Sequence, residues 1–523
     1  MSVPEPTLEY MFDTDLREAS DQAVVSAIEQ WAAAEAAAAS RRLAAIAELV
    51  RRRCGDDDRA DWACDSWDSA AAEISAAQSI SPRRASTQMR LALALAQRFP
   101  RLAALFADGR VGHRVVSVII WRTCLVQDPD AQAAIDAALV EQARTLGVLS
   151  DYKLEQAVDS VVDRFDPGGL RRTRARSRSR DIQFGEDDGD SATSALWGRM
   201  FSTDAQILRR RLSLMARQVC NDDPRTMAQR RADALGVLAA GSERLACQCG
   251  SPSCEYAQAD GSPTGVVIHV LAETPALAGT PDPNLSGAGP DTPAFNRGMS
   301  LAEWAAPKPE PEPTTPASSS PILGGGMVPG PLLAELIRAG ATVRHVRPPS
   351  DQPEPHYRPS TALAEFIRMR DLTCRFPNCT VPADSCDIDH AIPWPLGPTH
   401  PSCLRCECRK HHLLKTFWVG PRGWSDVQLP DGTIHWTSPS GKVYTTVPGI
   451  RLFFPGWDTD TGTLPDLRPQ LPDTAGPLGR DLRMPRRRRT RVAENCYRIK
   501  RERALNNDYL ATIVAERNKP PPH

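Results

Sequence analysis

No stretch of about 18 uninterrupted apolar residues occurs in this chain, which argues against a membrane span. The N-terminus, Met1 to Arg17, lacks a basic start followed by an apolar run, so it does not read as a secretory signal, and the expected location is the cytoplasm. A charge of one sign is missing as well: 63 Lys and Arg stand against 64 Asp and Glu, a formal net charge of −1. The molecule as a whole is therefore no electrostatic glove for nucleic acid, and any such binding has to come from local patches. No repeat of fixed period is visible.

What is present is length, two basic patches and clustered cysteine. With 523 residues the chain exceeds what one core supports, and two or three domains are expected. Six arginines lie between Arg171 and Arg180, and the stretch from Arg480 to Arg503 carries eleven Arg or Lys against three acidic residues. Of 14 cysteines, six crowd between Cys374 and Cys408 beside histidines, a spacing that metal ligation in a reducing compartment explains better than a disulfide scaffold.

Residues 10–271 read as a mainly helical domain. Leu16 to Arg53 is dense in Ala, Leu, Glu and Arg without internal Gly or Pro, which predicts one long helix. Ser81-Pro82 pairs a cap residue with proline at the first helical position, and Asp108-Gly109 and Asp128-Pro129 separate further helical segments, Arg114 to Leu125 and Ala131 to Leu146. A strand-like patch near Asp181 to Phe184 precedes a helical pattern from Thr203 to Ala240. Residues 272–330, rich in Pro, Gly and Ser, read as a disordered linker. Residues 331–456 form an α+β unit: helices over Pro331 to Ala339 and Ser360 to Arg370, then the cysteine cluster, then strand-like runs separated by Asp431-Gly432 and Ser440-Gly441 that predict a small β-meander. Residues 457–523 read as a Pro-rich, then basic, tail.

The chemistry is concentrated in Cys374-Arg-Phe-Pro-Asn-Cys379, Asp387-Ile-Asp389-His390 and Cys408-Arg-Lys-His411-His412. Zinc takes four ligands in a tetrahedron, and two short-loop pairs separated by a folded segment supply them. Cys374 and Cys379 are the first pair. Cys408 and His411, three apart at a helix start, are the favoured second pair, with Cys386, Cys403 and above all Cys406 as competitors. Between the pairs sits Asp389-His390. Phosphodiester hydrolysis needs a base to activate water and a hard cation to stabilise the leaving oxygen; imidazole serves the first and carboxylate holds the second. His412 is positioned to complete such a cation site.

Cys-x4-Cys, Asp-His and Cys-x2-His-His in this order resemble the HNH endonuclease motif of the ββα-metal fold. Tyr357-Arg-Pro-Ser-Thr-Ala-Leu-Ala-Glu-Phe-Ile-Arg368, Asp222-Asp-Pro-Arg-Thr-Met-Ala-Gln-Arg-Arg-Ala-Asp-Ala-Leu235 and Leu245-Ala-Cys-Gln-Cys-Gly250 are similar to the actinobacterial proteins of the mycobacterial thirteen-E-twelve repeat family, which join an N-terminal helical domain of unknown function to a C-terminal HNH domain. The resemblance implies a general base at His390, ligands of a catalytic Mg2+ or Mn2+ at Asp389 and His412, structural Zn2+ on Cys374, Cys379, Cys408 and His411, and nucleic acid, chiefly double-stranded DNA, as partner. One departure is visible: where the family has asparagine followed by leucine, this chain has Cys403-Leu404. In HNH folds that asparagine ties down the loop presenting the catalytic histidine, and a thiol does not reproduce the tie. A rival expectation is thus a catalytically silent, zinc-containing nucleic-acid-binding module.

Three further features stand apart. Cys247, Cys249 and Cys254 lie within eight residues, with His269 as a conceivable fourth ligand of a second zinc. Arg486 to Arg489 read as a nucleic-acid arm with nothing to fold over them. Leu102 to Trp121 reads as a packed helical hairpin rather than a helix-turn-helix.

Overall fold

The computed structural model describes residues 16–55, 57–170, 180–188, 193–257, 268–278, 300, 320–323, 325–338, 340–347, 349–461 and 484–518. Most of the Pro/Gly/Ser-rich segment and nine residues of the arginine-rich stretch, 171–179, lie outside them.

The long N-terminal helix forms as its composition predicts: α1 spans Asp21–Cys54, starts at a Ser20 cap and ends at Gly55. Its buried residues Ala36, Ala39, Leu43, Ile46, Ala47 and Val50 recur three and four apart, the stripe that packs a helix on a core. Against it lie α2 (Ser66–Gln78), α3 (Pro82–Gln97) and α4 (Pro100–Ala107), while α5 (His113–Arg122), α6 (Pro129–Glu141), the short α7 (Ala143–Gly147) and α8 (Asp151–Phe165) complete the same helical core. The predicted Ser81 cap is used, its Oγ accepting the Arg84 N–H, and at the Asp128-Pro129 break the Asp128 carboxylate accepts the Ala131 N–H. Buried Asp136 accepts the N–H groups of Arg101 and Leu102 at 2.9 and 3.0 Å, so a carboxylate on α6 caps α4. Gly109 has φ +71°, and a Cβ there would meet the Ala33 carbonyl oxygen at 2.4 Å, so the α4–α5 turn presses directly on α1.

A two-stranded ribbon, β1 (Asp181–Asp188) and β2 (Thr193–Arg199), follows. The expected helical run from Thr203 to Ala240 is two helices, α9 (Ser202–Arg217) and α10 (Met227–Ala239). Asp222-Asp-Pro breaks it, because proline disfavours helical geometry in the residue before it, and Thr226 restarts it with a reciprocal capping box to Gln229. The described ends of the expected linker are ordered: β3 (Ser320–Pro321) pairs with β4 (Met327–Val328), and Val328 and Leu333 of α11 (Gly330–Arg338) bury against Ala276.

The C-terminal unit begins with α12 (Thr361–Asp371), capped by Ser360. Strand β5 (Cys386–His390) pairs antiparallel with β6 (Leu404–Cys408), placing Cys386 opposite Cys408 and His390 opposite Leu404. Helix α13 (Arg409–Phe417) leaves β6 directly. The meander is present as β7 (Ser425–Gln428), β8 (Ile434–Thr437) and β9 (Val443–Thr446) in sequential antiparallel order. Its Trp436 is fully buried against Phe376 and Trp424.

Helix α2 belongs to both cores. Ala70, Ala71 and Ile74 enter the helical core, while Ala72 and Ala76 enter the core of the C-terminal unit, small side chains that let elements approach on both sides. Polar links cross the same seam: Lys410 Nζ meets Asp68 at 2.9 Å, Asn378 donates to the Ser75 carbonyl and Trp418 Nε1 donates to the Cys64 carbonyl.

The tail departs from expectation. Residues Arg491–Arg517 form a 27-residue helix, α14, whose Arg503 meets Asp166 at 2.6 Å and whose Asn506 donates to the Gly168 and Leu170 carbonyls. Arg486 pairs with Asp61 at 2.9 Å, Arg487 with Asp68 at 3.0 Å, and Arg491 with Asp65 and Asp68. The idea of a free arm is therefore corrected for Arg486 and Arg487: Asp65 and Asp68 are buried, a buried carboxylate needs a cation, and the tail supplies it. Leu102, Phe106, Val115, Val116 and Ile119 of the segment read as a hairpin are buried in the helical core. Among the described residues no helix is long and apolar enough to cross a membrane.

Candidate metal centre and the adjoining carboxylate face

The first cysteine pair sits on a tight knuckle after α12. Cys374 N–H donates to the Val381 carbonyl, Cys379 N–H donates to Phe376, and Asn378 between them adopts φ +58°, a conformation asparagine tolerates. The second pair starts α13, where Cys408 occupies the cap position and His411 follows on the first turn. The donor atoms of Cys374, Cys379, Cys408 and His411 all lie within 4.8 Å of one another, and all four residues are buried. His411 Nδ1 stands 3.4 Å from both Cys374 Sγ and Cys408 Sγ, and Cys379 Sγ stands 4.0 Å from Cys408 Sγ. Tetrahedral zinc with its usual bond lengths requires about 3.8 Å between sulfurs and about 3.5 Å from sulfur to nitrogen. The group therefore has the dimensions and donor chemistry to hold a metal ion such as zinc.

The competing thiols are not among these four, although Cys386 lies beside Cys374. Cys386 donates to the Pro382 carbonyl, Cys406 to Ile367 and Cys403 to Ile392, and burial pushes Cys406 and Cys403 above the ordinary thiol range. Around the four donors runs a buried charge network absent from the motif. Asp371 accepts from Arg370 Nε at 2.8 Å, from Arg375 Nη1 at 3.0 Å and from the Cys406 N–H at 2.8 Å, while Arg375 N–H donates to the Cys406 carbonyl. This ties the Cys374 knuckle to β6. Burial pulls the Asp371 carboxyl upward, but the two guanidiniums outweigh it and hold it below the usual carboxylate range.

On β5 the pleat separates the remaining residues. Asp387 and Asp389 point to one face, and His412 of α13 lies between them, Nδ1 at 2.9 Å from Asp387 and Nε2 at 3.3 Å from Asp389. Lys415 reaches Asp389 at 2.5 Å and also donates to the His390 carbonyl. His390 points away: its ring stacks on Tyr357 with centroids 5.4 Å apart, and Nε2 lies 3.0 Å from Thr399 Oγ1. Because the Thr399 hydroxyl donates to the His356 carbonyl, it accepts from His390, which fixes the proton on Nε2 and leaves Nδ1 as the basic nitrogen. Burial lowers the affinity of His390 for a second proton, with Asp389 opposing and Lys415 assisting. The structure brings Asp389 and His412 together as expected; it makes no hydrogen bond between His390 and either of them. Cys403 holds its loop through the backbone, its carbonyl accepting the Ala391 N–H at 2.6 Å.

A second compact donor group consists of Cys220, Cys247, Cys249 and Cys254. The fourth member is Cys220, not His269, whose backbone carbonyl instead accepts from Leu323 in the β3 region. Cys220 lies 27 residues upstream of Cys247, beyond the spacing that flags a local motif.

Residues 30–306 match the model of a family described as "Domain of unknown function (DUF222)", more than half of the chain. The chain belongs to the DUF222 family. It is 56% identical to Rv2100 of Mycobacterium tuberculosis (strain ATCC 25618 / H37Rv), over 100% of this chain and 94% of that protein. To Rv3776 of the same strain it is also 56% identical, over 97% of this chain and 93% of the relative. Both are described as uncharacterized proteins, and they support the resemblance to the mycobacterial repeat family. No solved structure matches. Within this DUF222 chain, Asp371, Thr399, Lys415 and Cys220 are the contributors that motif spacing did not reveal. Of these, only Asp371 had a signal in the sequence: an Arg-Asp pair at a helix end just before the first cysteine.

Proposed function

We propose that this DUF222 chain is an HNH-type, metal-dependent endonuclease that hydrolyses phosphodiester bonds, foremost in double-stranded DNA, on a zinc-braced ββα-metal frame. The observation that carries the reading is the sharing of one strand pair and one helix by two donor sets: Cys408 and His411 complete the buried cysteine group, while Asp389, His390 and His412 flank it on the same elements. The strand Cys386–His390, the strand Leu404–Cys408 and the helix Arg409–Phe417 have the order such a frame requires.

Asp389 and His412, with Asp387 on the same imidazole, are the residues that would hold Mg2+ or Mn2+; it is the carboxylate oxygens that suit such hard cations. When bound, that cation supplies charge stabilisation at the leaving oxygen. His412 now has one nitrogen beside each carboxylate, so one of these contacts would yield for that nitrogen to reach the ion. His390 takes a proton from water at Nδ1, and the Thr399 hydroxyl and the Tyr357 ring set its tautomer and plane. The lowered proton affinity keeps it neutral, and so able to accept, at neutral pH.

A silent nucleic-acid-binding module is the second reading, favoured by Cys403 and by the Lys415 ammonium on Asp389. Conversion of supercoiled plasmid to open circles by the full chain with Mg2+ or Mn2+, abolished by EDTA and by Asp389→Ala, supports cleavage. Salt-sensitive DNA binding without cleavage in either metal hands the case to the binding module.

A further inference from the structure

The second cysteine group lies in a part of the molecule that the nuclease reading does not use. Its four sulfurs converge from three separate stretches. Cys220 follows the end of α9, Cys247 and Cys249 follow α10, and Cys254 lies on a turn beyond them. All four Sγ atoms lie within 4.8 Å of one another, and Cys220 Sγ is 3.3 Å from Cys247 Sγ. The sulfurs are thus gathered on the scale of a four-sulfur zinc tetrahedron, whose edge is roughly 3.8 Å.

The scaffold beneath the sulfurs is built for the convergence. Cys247 N–H donates to the Tyr256 carbonyl at 2.7 Å, closing the loop, and Cys254 N–H donates to Ser251. Gly250 turns the chain between Cys249 and Cys254 at φ +73°, a left-handed conformation suited to glycine. Underneath, a buried ion pair joins the two sides. Arg225 meets Asp223 at 2.7 Å and donates to the Ala246 carbonyl at 2.7 Å, while Asp223 Oδ2 accepts the Gln248 N–H at 3.0 Å. The Cys220 side and the Cys247 side are thus aligned by contacts independent of the thiols.

The surrounding core is very small. Met215, Val219, Ala234 and Leu245 are its buried apolar members, while Ile207 and Leu214 of α9 are exposed. A hairpin of two helices with so few buried side chains needs a staple, and a structural metal is one that small units use.

We propose that Cys220, Cys247, Cys249 and Cys254 bind one structural Zn2+ through four thiolates, and that this ion clips the segment after α10 to the end of α9. Binding exchanges thiol protons for the metal: each cysteine that ligates as thiolate releases its proton to solvent, and no oxidant is required.

The test is zinc content of the full chain, purified in reductant and exchanged into chelator-free buffer, measured by inductively coupled plasma mass spectrometry. Cys220→Ala and Cys249→Ala should each carry one zinc equivalent fewer than wild type, with Cys220→His restoring it, because imidazole replaces a thiolate in the tetrahedron. Equal zinc content in wild type and Cys220→Ala would overturn the proposal, as would iron in place of zinc. A second measurement needs no variant: in the wild-type chain, alkylation of Cys220, Cys247, Cys249 and Cys254 by iodoacetamide, followed by peptide mass spectrometry, should accelerate at least about tenfold on adding a zinc chelator, since a metal-held thiolate is shielded from the reagent. Alkylation at the same rate with and without chelator overturns it, as does a Cys220–Cys247 disulfide in place of free thiols.

Discussion

The two cysteine groups of this chain offer nearly the same donors in opposite surroundings. Cys374, Cys379, Cys408 and His411 are all buried, with the His411 ring stacked on Phe376 and the Cys374 knuckle braced by the Arg370–Asp371–Arg375 network. Cys220, Cys247, Cys249 and Cys254 are all half-exposed beside a core of four buried apolar residues. In the first case the donors are part of a core that continues into tryptophans and the shared helix α2; in the second they stand in for a core. If each group holds zinc as proposed, removal of the ion should have different consequences: cooperative loss of a large unit in one place, local fraying in the other.

Cys374→Ser sharpens this contrast most. It should unfold the whole C-terminal unit, seen as loss of tryptophan near-UV signal and rapid proteolysis across residues 360–455, whereas Cys220→Ala should open proteolytic sites only around residues 202–257. Equal, local effects from both variants would break the comparison.

Asp371→Asn comes next. Removing the carboxylate leaves two buried guanidiniums short of a partner, which costs about 3–5 kcal/mol. Because the folded-state carboxyl is held below its usual range, its contribution is present above the ordinary carboxylate pKa and fades as pH falls below it. Wild type and variant should thus differ in urea midpoint at pH 7 and converge in acid; a constant difference down to the acid transition would contradict the assignment.

Two smaller effects concern His390, the proposed base. Thr399→Val removes the acceptor that fixes the His390 tautomer and should slow cleavage about 10- to 100-fold with zinc content unchanged, since misplacement near the reacting water is costly. Cys403→Asn should raise cleavage by less than that, because Thr399 and Tyr357 already hold the ring. A gain from Cys403→Asn larger than the loss from Thr399→Val would reverse the ranking of these two contacts.

Local signals carried much of this architecture into the sequence. The Ser81-Pro82 and Asp128-Pro129 starts, the α1 stripe, the meander turns and the Cys-x4-Cys knuckle each depend on residues within a few positions of one another, and each was legible. What escaped depends on pairing across the chain. The basic tail reads as solvated because its charge is counted locally; its partners, Asp61, Asp65 and Asp68, lie more than 400 residues away in sequence. Helix α14 escaped for a related reason, burying only Ile499 and Asn506 and so lacking an apolar stripe. Cys220 and Thr399 join their sites through the turn of a chain, not through spacing.

The most direct test of the nuclease reading is single-turnover nicking of supercoiled DNA by wild type and His390→Ala, both full length, matched in zinc content and supplied with Mn2+. The account predicts metal-dependent nicking by wild type and a loss of at least about 100-fold in the variant, the scale on which a positioned general base acts. Nicking at the same rate by both proteins would contradict it.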